Sequence, residues 1–392
     1  MDLREIAKKE KISVQKLECE LKAGRAVLLC HNKKPSCILS NLCTTKINTN
    51  LGISAQNGLA QEINKLEIAQ YYGTDTVMDL STKNTLYTLR TFLKNSSVPV
   101  GSVPIYECFP SPSEEDFLHS IEKHIKAGAS FLTIHAAFKR SAIPLAAKRI
   151  TKIVSRGGGI LAEYMVRNKC ENPLYANFDN ILDLLEGTDC AISLGDALRP
   201  GCIADANDSA QLSELKTQGE LVLRSRERKV PVFCEGPGHM PLNTIVENVK
   251  LQKKWCHKAP YYVLGPLVSD TALGYDHISS AIGATVAAAA GVEFLCAVTP
   301  SEHYRLPTLE DIKEGVIAYK IAAHSADICK LKGASKRDLE LSRARYALDW
   351  RTQEKLSITR KKVETCDNTP CSMCKELCPM RRCQTLFKGA KK

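Results

Sequence analysis

Short apolar runs that end on polar residues or glycine recur along the chain, separated by segments of helical spacing. Eight such runs stand out: Lys46 to Asn50, Thr76 to Ser81, Val98 to Tyr106, Ser130 to His135, Ala191 to Gly195, Pro231 to Glu235, Tyr261 to Gly265 and Glu293 to Val298. Near-continuous apolar character is what a strand buried on both faces requires. Between the runs, Phe117, Leu118, Ile121 and Ile125 repeat at helical spacing and close on Gly128, and Leu242, Ile245, Val246 and Val249 do so beyond Pro241.

Strand and helix therefore alternate, and eight parallel strands each followed by a helix make an α/β fold of the (β/α)8 TIM-like barrel type. A doubly wound open sheet produces the same local pattern and is the alternative. The polar residues favour the barrel. Asn50, Asp79, Tyr106, His135, Asp196, Glu235 and Tyr262 fall at the C-terminal ends of the runs, with His239 and His303 in the loops just beyond. In a barrel those ends converge on the face where loops build the active site.

The pattern divides the chain into a short N-terminal helical segment (1–45), the barrel (46–305) and a C-terminal helical arm (306–392) with helical stretches at Leu309 to Asp327 and Ser335 to Gln353. Ser155-Arg156-Gly157-Gly158-Gly159, in a long insertion between the fourth and fifth strands, reads either as a flexible turn or as backbone that can approach a phosphate.

Composition adds little to this picture and excludes some classes. The 392 residues are 44% hydrophobic and 25% charged, ordinary for a globular enzyme, and no apolar run approaches the ~18 residues of a membrane span. The charged start Met1-Asp2-Leu3-Arg4-Glu5 lacks the core of a secretory signal, so a cytoplasmic protein without a membrane partner is expected. The net charge of +11 gathers towards the end, in Arg360-Lys361-Lys362, Arg381-Arg382 and Lys388 to Lys392. No basic helix with interleaved aromatics accompanies it, which favours a solvated face over a nucleic-acid partner.

The 17 cysteines change the picture more. Most are single residues in apolar segments, where a small buried thiol suffices as explanation, but Cys366, Cys371, Cys374, Cys378 and Cys383 crowd into 18 residues. Cys371, Cys374 and Cys378 are spaced by two and three residues, and three compact thiolates can hold a four-iron cluster with one iron open. A structural zinc site normally uses two separated pairs, and a ferredoxin cluster a further gap of two before the fourth cysteine. Cys366 and Cys383 leave a closed, four-ligand site open as an alternative.

Five strings then carry a specific likeness: Gly195-Asp196-Ala197-Leu198-Arg199-Pro200-Gly201, Glu235-Gly236-Pro237-Gly238-His239-Met240-Pro241, Leu264-Gly265-Pro266-Leu267, Gly274-Tyr275-Asp276-His277 and Val298-Thr299-Pro300-Ser301-Glu302-His303. In order and spacing, from about Lys46 to Cys378, the chain resembles the phosphomethylpyrimidine synthase (ThiC) family of radical S-adenosylmethionine enzymes. It departs from that family at Leu273, where a proline is usual, and in an N-terminus without the usual leading motif.

The resemblance implies a barrel with a C-terminal cluster arm, in a homodimer in which the arm of one subunit completes the other's active site. It implies a [4Fe-4S] cluster on Cys371, Cys374 and Cys378, S-adenosyl-L-methionine on the open iron, and a mononuclear divalent metal, zinc or iron, on His239 and His303. Two loop histidines 64 residues apart carry no metal signature of their own. The implied reaction is a lyase rearrangement of 5-aminoimidazole ribotide to the pyrimidine phosphate precursor of thiamine, with electrons from a reductant such as flavodoxin or ferredoxin. The alternative is the paralogous 5-hydroxybenzimidazole synthase of cobamide synthesis, which uses the same ribotide.

Substrate contacts implied in the same way are Asn50, Met78, Tyr106, His135, Ser155, Arg156, Gly157, Asp196, Ala197, Leu198, Arg199, Glu235 and Tyr262. Asp196 and Glu235 suit proton transfer or hydrogen bonding to hydroxyl and amine groups, and Arg199 with Ser155 to Gly157 suits an anion. Either carboxylate could equally serve as the buried partner of an arginine.

Overall fold

The computed structural model describes residues 2–54, 56–108, 113–359 and 362–387. The chain divides into two compact units, Met1–Cys329 and Lys330–Lys392.

The first unit opens with helices Leu3–Glu10 and Val14–Lys22 and an antiparallel hairpin of β1 (Ala26–His31) and β2 (Lys34–Ser40). The hairpin corrects the expectation that residues 1–45 are helical. Its turn places Asn32 and Lys33 in the left-handed region (φ 49° and 60°), the geometry of tight two-residue hairpin loops. A buried ion pair, Glu10 to Lys46 at 2.6 Å, ties this segment to the first barrel strand.

Eight parallel strands follow and close on themselves: β3 (Lys46–Leu51), β4 (Thr76–Asp79), β5 (Val100–Ser102), β6 (Phe131–Ile134), β7 (Ala191–Leu194), β8 (Val232–Gly236), β9 (Tyr261–Leu264) and β10 (Phe294–Ala297). The ring is completed where β10 pairs with both β9 and β3, Phe294 lying opposite Tyr262 and Lys46. Six lie inside the apolar runs of the sequence and two pass them by one residue, at Leu51 and Gly236, and the open-sheet alternative is excluded by closure. The third run is the one that shortens. Pro104 lacks the N–H a ladder needs, so Val100–Ser102 is strand and Pro104–Cys108, with Tyr106, turns into a short 3-10 helix.

Inside the barrel, Phe131, Phe233 and Phe294 pack with ring centroids 5.7 to 6.2 Å apart. Tyr262 stacks on Phe294 at 4.2 Å. This aromatic plug fills the interior, so a substrate has room only above it, at the C-terminal mouth.

Three further expectations are revised. The glycine run is no loose turn: Ser155 caps helix Arg156–Arg167, its hydroxyl accepting from Gly158 N–H. Asp79, expected at the mouth, is instead buried and accepts from Ser81 N–H and the Thr88 hydroxyl, joining its strand to the next helix. The stretch Ser335 to Gln353 is two helices, Lys336–Ala347 and Trp350–Leu356, broken where Leu348 turns left-handed.

The second unit contains those two helices, and its cysteine segment is fastened to them. Asp367 accepts from Trp350 N–H, the Trp350 indole donates to Thr369 C=O, and Asn368 N–H bonds Leu348 C=O. Lys362, Arg381 and Arg382 are exposed, whereas Arg360, Lys361 and residues 388–392 of the basic tail lie outside the described residues. Among the described residues no helix is long and apolar enough to cross a membrane.

Candidate active site

A cavity opens at the C-terminal mouth of the barrel. Ten of the expected contacts line it: Asn50, Met78, Tyr106, His135, Ser155, Arg156, Asp196, Arg199, Glu235 and Tyr262. They come from almost every strand end, which is why no local stretch of sequence contains the site. Gly157, Ala197 and Leu198 are not on its wall. The two apolar residues are fully buried behind it, and Gly157 acts through its lack of a side chain.

That role is visible at His135, which follows β6. A Cβ on Gly157 would lie 2.5 Å from the His135 ring, and one on Gly195 would lie 2.8 Å from it. The imidazole is thus held edge-on between two glycines, while its Nε2 meets the Ser155 hydroxyl at 3.2 Å. Burial, aided by the charge of Arg199, pushes its pKa down to about 3, so the ring is neutral at physiological pH.

Opposite, Arg199 pairs with Asp196 at 3.2 Å, and Glu235 accepts from the Thr133 hydroxyl at 2.8 Å and the Ser193 hydroxyl at 2.6 Å. Burial raises both carboxyls above their ordinary range, Asp196 well above it; Arg199 opposes the rise at both. On the far wall Asn48 donates to both the Asn50 carbonyl and the Tyr262 hydroxyl, and Asn50 donates to the Cys296 sulfur at 3.1 Å. Arg156 lies over the Tyr106 ring, 5.0 Å from its centroid.

The cavity therefore brings anion-binding groups and raised carboxyls onto one wall system, with Arg199 bonded to Asp196. The start of helix Arg156–Arg167, with the positive end of its dipole, borders the cavity together with Arg199, a combination that holds phosphate. Asp196 and Glu235, whose hold on a proton burial strengthens, can give or take one.

His239 and His303 do not line this cavity, but they meet each other, Nε2 to Nε2 at 3.2 Å. Each is oriented from behind: His239 Nδ1 by Asp270 at 2.8 Å, His303 Nδ1 by Asp276 at 3.0 Å. With each neutral ring donating its Nδ1–H to its carboxylate, both Nε2 lone pairs face one another, an arrangement that a cation between them relieves. Carboxylate-backed imidazoles are also how metal-binding histidines are held. The residues fit a divalent metal in donor type and orientation. Among the described residues, however, no group of three or more His, Cys, Asp or Glu side chains gathers to hold a single ion.

In the second unit, Cys378 immediately precedes helix Pro379–Leu386, and a 3-10 turn, Lys375–Leu377, separates it from Cys374. Backbone N–H groups of Cys374 and Met373 hold the Cys371 thiol below its ordinary range, which favours the thiolate that iron needs. The Cys374 thiol is raised, by burial and then by the negative charge of Cys371 and Cys378, so the three sulfurs feel one another. Cys374 within electrostatic reach of both Cys371 and Cys378 fits a cubane cluster, whose several irons share the ligands that a single ion would need gathered around itself. Cys366 is exposed and Cys383 half-buried.

Sequence reasoning missed Cys296, Thr133 and Glu302 on the cavity wall and Asp270 and Asp276 behind the histidines. Asp276 and Glu302 sat within quoted motifs. Nothing local marked Asp270 or Thr133, whose roles exist only once the chain is folded.

The family model described as the radical SAM ThiC family matches residues 1–385. Among solved structures, the chain is similar to a dihydropteroate synthase from Coxiella burnetii in complex with pteroic acid, at 12% identity over 73% of this chain and 94% of that one, with a TM-score of 0.43. It is likewise similar to a dihydropteroate synthase from Xanthomonas albilineans in complex with 7,8-dihydropteroate, at 10% identity over 73% and 92%, with a TM-score of 0.42.

Proposed function

The chain belongs to the radical SAM ThiC family, and from that premise we propose that it converts 5-aminoimidazole ribotide to 4-amino-5-hydroxymethyl-2-methylpyrimidine phosphate, as a lyase of thiamine biosynthesis. Membership implies a [4Fe-4S] cluster and S-adenosyl-L-methionine. The observation that carries the substrate assignment is a cavity that gathers the start of helix Arg156–Arg167, the Arg199–Asp196 ion pair and the raised carboxyl of Glu235 in a space bordered by Tyr106 and Tyr262.

In this reading the ribotide phosphate takes the Ser155 to Gly157 backbone and nearby guanidinium groups, as anions do at helix N-termini. His135, neutral and fixed by its glycine walls, accepts or donates one hydrogen bond without adding charge. Asp196 and Glu235 hold ribose hydroxyls or the amine and move protons as bonds rearrange. The aromatic plug below and the tyrosines beside the ligand keep water from reactive species. Bound through Cys371, Cys374 and Cys378, the cluster with its sulfonium cosubstrate supplies the one-electron chemistry that starts the reaction. His239 and His303 hold a divalent metal, zinc or iron. A flavodoxin- or ferredoxin-like donor and a homodimer belong to the same proposal.

The test is anaerobic turnover of the reconstituted protein with 5-aminoimidazole ribotide, S-adenosyl-L-methionine and a chemical reductant. Mass spectrometry should find the pyrimidine phosphate together with 5'-deoxyadenosine. Formation of 5-hydroxybenzimidazole, or of no ribotide product at all, would overturn the assignment.

A further inference from the structure

Behind the raised carboxyls of the cavity lies a third carboxyl that no motif singled out. Glu214, on helix Ser209–Glu227, is 3% exposed. One oxygen accepts from the Leu198 N–H at 2.7 Å, so the side chain clamps the loop that carries Asp196 and Arg199. The other oxygen is fully buried and has no hydrogen-bond partner among the described residues. A small cavity beside Glu214, with about 10 Å³ of space, is bordered by Asp196, Arg199, Gln218, Glu235 and Tyr261. That is the room one water molecule needs.

Charge counting decides the state of this group. The small cavity sets Asp196, Glu214 and Glu235 beside one guanidinium, Arg199; nearby Arg149 is held by both oxygens of Asp208 at 2.6 and 2.8 Å, and Arg156 of the main cavity lies over the Tyr106 ring. Three ionised carboxylates beside one cation would bury a net negative charge, which an apolar interior does not tolerate. Asp196 has Arg199 at 3.2 Å and Glu235 has two hydroxyl donors, whereas Glu214 has neither a cation nor a hydroxyl, only the backbone N–H groups of Leu198 and Ala197. The remaining neighbours are neutral: Gln211 and Gln218 on its own helix, Gln218 donating to Glu235 C=O, and Tyr261, whose hydroxyl bonds Asn248. Glu214 is therefore the best seat for a proton.

We propose that Glu214 is a positioning residue that also stores a proton for the site, held as a neutral acid and linked to Asp196 through one water in the small cavity. The step is a proton transfer alone. The Glu214 O–H bond breaks as the water gains that proton, the water passes one of its own to the Asp196 carboxylate, and no electrons change hands; the reverse movement restores the store. Burial pushing the Glu214 carboxyl up to about 8, against the Leu198 and Ala197 N–H groups, agrees with a neutral acid at pH 7. The inference rests on the reading above that Asp196 borders the substrate.

Glu214→Gln keeps an acceptor for Leu198 but cannot release a proton. Infrared difference spectra of the wild-type protein, without substrate or cofactors, should show the carbonyl band of a buried carboxylic acid that disappears as pH is raised through about 8, and Glu214→Gln should lack it. In Asp196→Asn the band should remain but disappear at lower pH, because a neighbouring negative charge has gone. In turnover, Glu214→Gln should lower kcat about 100-fold with KM changed less than about twofold, and lose the alkaline limb of the wild-type pH profile. Persistence in Glu214→Gln of the band that titrates near 8, or a variant with wild-type kcat and pH profile, overturns the proposal. Should the wild-type protein form no pyrimidine phosphate, the assigned function fails while the infrared measurement still decides the state of Glu214.

Discussion

His239 and His303, 64 residues apart in the chain, point their Nε2 atoms at each other across 3.2 Å, each ring braced from behind by an aspartate. If that pair holds a divalent cation, the braces matter nearly as much as the ligands. Asp276→Asn should weaken zinc or iron(II) binding roughly 10- to 100-fold, and the double variant His239→Ala, His303→Ala should abolish it. Calorimetric titration of metal into chelator-treated protein measures both. Equal affinity in wild type and double variant would remove the metal from this site.

The cysteine segment lies in a compact unit of its own, residues 330–392. Cys374→Ala should therefore strip iron from the anaerobically reconstituted protein, from about four per chain towards none, while leaving the barrel's thermal transition where it was. Iron and sulfide assays alongside calorimetry follow the two effects separately. Unchanged iron content would move the cluster off these sulfurs.

Gly157 and Gly195 leave the space that His135 occupies. In Gly157→Ala the new methyl would sit 2.5 Å from the ring, against a side chain that burial prevents from yielding. The variant should lose about 1–3 kcal/mol of stability and bind substrate more weakly. Denaturant midpoints and KM report the two, and a variant as stable as wild type would mean the ring can shift freely.

The depressed pKa of His135 also makes a statement about stability. The unfolded imidazole takes a proton below its ordinary 6.5, and the folded one not until about 3. Between those values the unfolded state binds more protons, so this residue's contribution to stability falls as pH drops from about 6.5 to 3. Subtracting the stability of His135→Gln from that of wild type, across urea titrations at several pH values, should reveal that fall. A difference independent of pH would place the ring in solvent.

Much of this was legible along the chain because it is periodic. The eight apolar runs predict the eight strands, since a parallel sheet covered by helices buries both faces and repeats the same demand at every strand. The polar residue ending each run predicts the mouth, because in a barrel all strand ends of one sense converge. Where local chemistry overrode the pattern, the reading slipped: Pro104 ended the third strand early, and the Asn32-Lys33 turn made a hairpin where helix was expected.

Cys371, Cys374 and Cys378 are neighbours in sequence, so their chemistry can be read without a fold. The order of residues likewise determines the barrel and the family. Only tertiary structure decides that His239 meets His303, that two glycines clasp His135, and that one oxygen of Glu214 is buried without a partner among the described residues. Those relationships depend on distance and on exclusion of water between segments far apart in the chain, and burial, which sets each group's charge, belongs to no residue until its neighbours have closed around it.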